Sequence, residues 1–445
     1  MIERGTNLNT WQDYQNRLQR IARRKYYLSR VPRLGIYASG FFLVFAIIFY
    51  TGSWIFAHLE KTDQQPPENE KRENIWPEKL TKGDLPGILR EMNINLPSVS
   101  GKYLFEKDDL NLSVETSLDA SLQKFVSGLL QRSMTYQAAV VVLRPDNGQI
   151  LAMANYENHS TREKQNLCLK ADFPAASLFK VVSAAAAIEA RGFTPEKTVF
   201  FKGRKHTLYR SQLKRGKGRY TIKTSFSKAF SGSINPVFGK IGIYDLGWEL
   251  MAEYADKFFF NREIPFDLPL AMSHIHAPKD SFGLAEIASG FNKKTLISPI
   301  HAVLIAAAVA NNGTIMEPWL VRCAKSESGQ ILYQVTPSRL ASPIKKDTAK
   351  KLRVLMGETV VSGTCRKAFR PLRRKKAFKG FELGAKTGTI NDQLDQYKYD
   401  WLMAYALPGA GDGGICVTVL AVHGEKLGIR AKDIARYIIN YHFTS

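Results

Sequence analysis

Pro174-Ala175-Ala176-Ser177-Leu178-Phe179-Lys180-Val181-Val182-Ser183-Ala184-Ala185-Ala186-Ala187-Ile188 sets a serine and a lysine three residues apart at the head of a run that is apolar on nearly every side. A helix apolar all round is a buried helix, and Arg191-Gly192 supplies its C-cap. The spacing puts Ser177 and Lys180 on one face. A serine on a first helical turn keeps its backbone N–H free of intrahelical bonds, so that N–H can face an oxyanion where the helix dipole also helps. An ammonium in a water-poor site, facing a second cation, has its pKa lowered, and the neutral amine can take the serine proton.

The S-x-x-K pattern alone says little. It recurs at Ser121, Ser211, Ser225 and Ser342. Pro343 disfavours a helical turn at Ser342; Ser211 and Ser225 sit in a basic stretch with no apolar helix behind them, and Ser121 opens an amphipathic surface helix. Two further strings change the weight of Ser177: Ser233-Ile234-Asn235, then Lys386-Thr387-Gly388-Thr389. Each alone reads equally well as a turn before Pro236 and as an edge strand with a glycine. In order they supply a nucleophilic hydroxyl, its base, a second hydroxyl to pass protons, an amide to hold substrate and a cationic strand edge, which is an acyl-transfer set. Gly388 would let a peptide lie alongside that edge.

In sequence and spacing these strings resemble the three active-site motifs of the penicillin-binding protein transpeptidase family, whose relatives include the serine β-lactamases. The stretch from Ala139 to Met153 resembles the family's first hairpin. Ser281-Phe282-Gly283-Leu284 through Ile297-Ser298-Pro299 to Ala310-Asn311-Asn312-Gly313 resembles the part before its last third. The resemblance runs from about Thr116 to the C-terminus. It implies Ser177 as nucleophile, Lys180 as general base, Ser233 as proton relay, Asn235 on the substrate peptide and Lys386 as the electrostatic partner. Thr387 and Thr389 would take the substrate carboxylate beside Gly388, and the N–H groups of Ser177 and Thr389 would form the oxyanion hole.

The implied activity is a membrane-anchored peptidoglycan D,D-transpeptidase that cross-links stem peptides through a serine acyl-enzyme and binds β-lactams covalently, with no cofactor and no metal. A D-Ala-D-Ala carboxypeptidase shares the first half-reaction and gives the acyl group to water, so the motifs leave it open; a non-catalytic β-lactam-binding sensor or scaffold is the third reading. A β-lactamase needs a dedicated water-activating group, and no residue is assigned to that role. Glycan-polymerising enzymes and division or elongation machinery are partners the family implies. The roughly fifty residues before the catalytic region hold neither the family's pedestal nor a glycosyltransferase domain.

The expected fold is α+β: an antiparallel sheet covered by helices, with a helical subdomain between Ser177 and Leu383, preceded by one transmembrane helix. The 400–422 stretch reads as a hairpin around 408–414, and a last helix is expected from about Ile429 to Asn440. Residues 34–57 carry no charge and are long enough to cross a hydrocarbon core of about 30 Å. Arg17, Arg20, Arg23, Arg24, Lys25, Arg30 and Arg33 precede them, so the positive-inside rule puts 1–33 in the cytoplasm and the rest outside. The long polar lead favours an uncleaved anchor over a signal peptide. The expected division is a basic tail 1–33, an anchor 34–57, a tether or short stalk 58–110 and a transpeptidase domain 111–445; Thr81 to Glu115 reads either as a stalk or as the first layer of that domain.

Net charge is +23. The cations cluster between Lys202 and Arg219 and between Arg366 and Lys379. The extracytoplasmic placement argues against nucleic acid; anionic lipid headgroups or carboxylate-rich stem peptides fit better, and a solvated loop with no specific partner is the plain alternative. Cys168, Cys323, Cys365 and Cys416 are too scattered for a metal motif. Cys416 reads as core, and Cys365 as a free thiol beside the basic loop.

Overall fold

Strands whose residues are apolar on both faces build the centre of the molecule. The computed structural model describes residues 79–91, 101–107, 110–158, 165–216, 218–392, 394–409 and 413–445. The central sheet contains β1 (Gln137–Leu143), β2 (Ile150–Glu157), β3 (Glu382–Asn391), β4 (Lys398–Leu407) and β5 (Ile415–His423), in the order β3-β4-β5-β1-β2 with every pairing antiparallel. The helices used below are α1 (Ala120–Gln131), α2 (Lys180–Arg191), α3 (Asn235–Ile241), α4 (Ser281–Ser289), α5 (Pro299–Ala310), α6 (Arg366–Arg374) and α7 (Ala431–Thr444).

Successive strand residues point to opposite faces. Ala138, Val140 and Val142 share one core with Leu122 and Val126 of α1 and Ile434 and Ile438 of α7, whereas Ala139, Val141 and Leu143 join a second core with Val303 of α5. Both faces are covered, so the strands read as continuous apolar runs rather than alternating ones. All twelve residues of α5 are buried. Its start is fixed by Pro299 and by Ser298, whose hydroxyl accepts the His301 N–H at 3.1 Å. The α+β fold expected above, with an antiparallel sheet covered by helices, is the one observed.

Of the two readings left open for Thr81 to Glu115, the described residues fit the second, a first layer of the catalytic unit: Lys102–Lys107 and Leu110–Thr116 pair in one antiparallel sheet with Val321–Ser326 and Ile331–Gln334, and Leu80, Leu85, Leu89, Leu112 and Val114 lie in the larger core. The stretch between Ser177 and Leu383, expected to be largely helical, also holds strands. Thr198–Lys202 and Thr221–Ser225 form an antiparallel ribbon, because their β-branched and aromatic residues suit a pleated surface, and the first basic cluster decorates its connection. The expected tail 1–33 and span 34–57 lie outside the described residues; among the described residues no helix is long and apolar enough to cross a membrane.

Candidate active site

Ser177 lies in a 3₁₀ turn, Ala176–Phe179, that leads into α2 at Lys180. The expected first α-helical turn is therefore tighter than the sequence suggested. The reason is Ala176, held at φ 48 with Gly290 pressed against its carbonyl. Alanine in this region costs on the order of 1–3 kcal/mol, and such strain concentrates at functional sites. Beyond the turn, Lys180 through Ile188 are all buried, and α2 ends at Gly192 in the left-handed conformation with φ 63, the cap that Arg191-Gly192 indicated.

The Lys180 amine has three neighbours: Ser177 Oγ at 2.7 Å, Asn235 Oδ1 at 2.8 Å and the Ser289 carbonyl at 2.5 Å. Asn235 is held in turn, its Nδ2 donating to the His206 carbonyl at 3.0 Å, so its oxygen faces Lys180. Burial, then the charge of Lys386, push the Lys180 pKa well below the usual lysine range. A neutral amine has two N–H groups and one lone pair. The Ser289 carbonyl and the Asn235 amide oxygen are pure acceptors and take both N–H groups, which leaves the lone pair for the Ser177 hydroxyl. The geometry thus presents Lys180 as a proton acceptor for Ser177.

Lys386 projects from β3, the edge strand, and donates to Ser233 Oγ at 3.2 Å and to the Thr387 carbonyl at 2.8 Å. Burial lowers its pKa to about 7. The faces of Phe230 and Phe238 lie 5.5 and 5.6 Å from the Lys386 and Lys180 amines, so aromatic rings rather than carboxylates surround the two nitrogens. Ser233 has φ 52, a second strained residue at the site. The structure thus joins Ser177, Lys180 and Asn235 in one hydrogen-bonded group and Ser233 with Lys386 in a second, and Ser177, Ser233, Asn235, Thr387 and Thr389 line one cavity of about 450 Å³.

At Gly388 a Cβ would lie 3.2 Å from both the Ala176 and Trp401 Cβ atoms, so the missing side chain lets the Ser177 turn pack closely on β3. Trp401 locks that contact by donating its indole N–H to the Pro174 carbonyl at 2.9 Å.

Several residues at the cavity were not legible beforehand. Thr364 shares a 2.7 Å hydroxyl contact with Thr387, and His206 lines the opposite wall. Asp400, directly across from Thr389 in the β3–β4 register, accepts from Thr389 Oγ1 at 3.3 Å, from Arg430 at 2.6 and 3.0 Å and from the Ala431 N–H at 3.0 Å. Burial alone would raise the Asp400 carboxyl, but His423 at 3.7 Å, Arg430 and the Ala431 N–H together hold it well below the carboxylate range. The signal that could have found it is a lone carboxylate at the head of the apolar run Trp401 to Leu407. Asp400→Asn keeps the shape and removes the charge: a loss of about 1–3 kcal/mol in urea unfolding is expected, with Thr389 less well oriented.

Residues 138–439 match the model of the penicillin binding protein transpeptidase domain. Among curated proteins, the chain is 24% identical over 314 residues to stage V sporulation protein D of Bacillus subtilis, covering 67% of this chain and 47% of that relative, and so spans about half of its length. It is 25% identical over 373 residues to peptidoglycan D,D-transpeptidase PbpA of Mycobacterium tuberculosis, covering 75% of this chain and 73% of the relative. Among solved structures, penicillin-binding protein A from M. tuberculosis as its penicillin G acyl-enzyme complex aligns with a TM-score of 0.57 at 23% identity, over 74% of this chain and 79% of that one.

Proposed function

Because the chain belongs to the penicillin-binding protein transpeptidase family, we propose that the Ser177 cluster works as a peptidoglycan D,D-transpeptidase. Ser177 Oγ attacks the carbonyl of the penultimate D-alanine of a stem peptide as its proton passes to Lys180. The Ser177 N–H, at the strained turn, faces the oxyanion. Collapse forms the ester and breaks the bond to the terminal D-alanine, whose amine receives the proton from Lys180 through Ser233. An amine on a neighbouring stem then attacks the ester, loses a proton and returns Ser177 to its hydroxyl form. One observation carries this reading: both N–H groups of a neutral Lys180 have acceptors, so its lone pair is left for Ser177. Labelling with a fluorescent penicillin, absent in Ser177→Ala, tests the acylation. Supplying a donor peptide with a D-amino acid acceptor tests the transfer: exchanged product supports it, and hydrolysed product alone points to a carboxypeptidase.

Residues 34–57 anchor the chain in the cytoplasmic membrane, with 1–33 inside and the catalytic unit outside; the support is the uncharged span with arginines on one flank. A reporter enzyme active only outside the cytoplasm, fused at residue 60, would show activity; silence there would reverse the orientation.

The two lysines give the acylation rate a bell-shaped pH profile. Lys180 acts as the neutral amine, so the rate falls as pH drops through its lowered pKa. Lys386 attracts the substrate carboxylate as a cation, so the rate also falls as pH climbs above about 7. Second-order rate constants for penicillin from pH 5 to 9 measure both limbs, and Lys386→Met is expected to flatten the alkaline one. A rate still rising at pH 9 would contradict the role given to Lys386.

A further inference from the structure

Beyond Thr389 the catalytic cavity opens into a second groove of about 1420 Å³, and Phe291 and Thr389 line both. That volume exceeds an ordinary small-molecule pocket and suits a peptide segment. Its acidic residues are not equivalent. Asp280 is occupied by Arg210 at 2.7 Å and by the Gly283 N–H at 2.8 Å, and Asp395 faces Lys293 at 3.9 Å. Glu286 is half-buried and, among the described residues, no hydrogen bond or ion pair reaches its carboxylate. In a chain of net charge +23 a half-buried carboxylate with no direct cation partner is conspicuous, because burying one unpaired is costly. Burial and the neighbouring Asp280 raise its pKa, and Arg210 and Lys294 lower it from a distance without forming an ion pair with it.

Glu286 is also well placed. It lies on α4 three residues before Ser289, whose carbonyl holds Lys180, so about 4.5 Å of helix rise separates it from the base's anchor and both sit on one face. The position is fixed, because the Glu286 carbonyl accepts the Phe291 N–H at 2.7 Å where α4 ends.

We propose that the Glu286 carboxylate binds a free side-chain ammonium of a stem peptide lying in this groove, which makes Glu286 a specificity residue for amine-bearing stems. The proposal rests on the transpeptidase reading, since a stem peptide is then the occupant; an acceptor ammonium held there gives its proton to the Glu286 carboxylate before the neutral amine attacks the ester. The same ammonium is carried by the donor stem and by the acceptor stem, and the two arms of the test separate them.

The test uses the full chain in detergent with two donors ending in D-Ala-D-Ala, one with a free lysine side-chain amine and one acetylated there. The wild-type protein is expected to favour the free amine in kcat/KM, and Glu286→Gln to reduce that preference about tenfold, the fold-change of one charge-assisted bond. In the second arm the acetylated donor is held constant, and aminolysis by a peptide with a free side-chain amine is compared with aminolysis by D-alanine. A drop confined to the first arm assigns the ammonium to the donor, and one confined to the second assigns it to the acceptor. Glu286→Lys is expected to invert the preference toward a succinylated donor. Equal ratios in wild type and both variants overturn the proposal. Failure of the transpeptidase reading looks different: the wild-type protein would then neither label with penicillin nor process the acetylated donor.

Discussion

Replacing Lys180 with methionine is expected to slow penicillin acylation of Ser177 by on the order of 10³-fold, the usual worth of a positioned general base. Methionine fills the same buried volume without a nitrogen, so the Ser177 hydroxyl keeps its turn and loses only its proton acceptor. Lys180→Arg should be equally slow, since a guanidinium stays protonated and cannot accept; that separates a base from a mere cation. Stability responds to two opposed effects. An amine that must desolvate is removed, and the Ser289 carbonyl and Asn235 Oδ1 lose a donor. The pH dependence tells them apart. Native pKa values below the unfolded lysine value mean that the unfolded chain binds more protons, so wild-type stability rises with pH from about 7 toward 10. The methionine variant should keep only the Lys386 share of that rise. Stopped-flow acylation and melting temperatures across this range measure both, and a variant acylating at near wild-type rate would place the base elsewhere.

What the sequence disclosed and what it hid follow from the range of the interactions. The pair Ser177 and Lys180 was legible because one helical turn joins them, and β1 and β5 because a short unbroken apolar run bounded by turn residues reads as a strand buried on both faces. The contacts that complete the site are made across the fold. Lys180 meets a carbonyl from Ser289 and an amide from Asn235, and Thr387 meets Thr364; no local pattern encodes these meetings. Gly388 shows the same limit from another side. Its need for a missing side chain was readable, but one of the two atoms a Cβ would crowd belongs to Ala176, more than two hundred positions away. The stretch from Thr81 to Glu115 stayed ambiguous because its strands pair with Val321–Ser326, which lies far along the chain.

The tightest of these long-range contacts predicts the second large effect. Gly290 caps α4 at φ +62, and a Cβ built on it would sit 1.9 Å from the Ala176 carbonyl oxygen and 3.0 Å from the Ser177 nitrogen. Both are backbone atoms, so no side-chain rotation relieves the collision, and the end of α4 must withdraw from the nucleophile's turn by roughly an ångström or more. That withdrawal carries the Ser289 carbonyl away from Lys180 and shifts the Ser177 N–H proposed above to face the oxyanion. Displacements of this size cost about 10²-fold in rate. Gly290→Ala is therefore expected to lower the acylation rate at least that much and to destabilise the fold by about 2–4 kcal/mol, from left-handed strain and overpacking together. Gly192 supplies the control, since it caps α2 at φ +63 with open space around its missing Cβ. Gly192→Ala should show the strain alone, about 1–2 kcal/mol, with acylation unchanged. If both alanine variants acylate at the wild-type rate, the close approach of α4 to the Ser177 turn is not what positions the nucleophile.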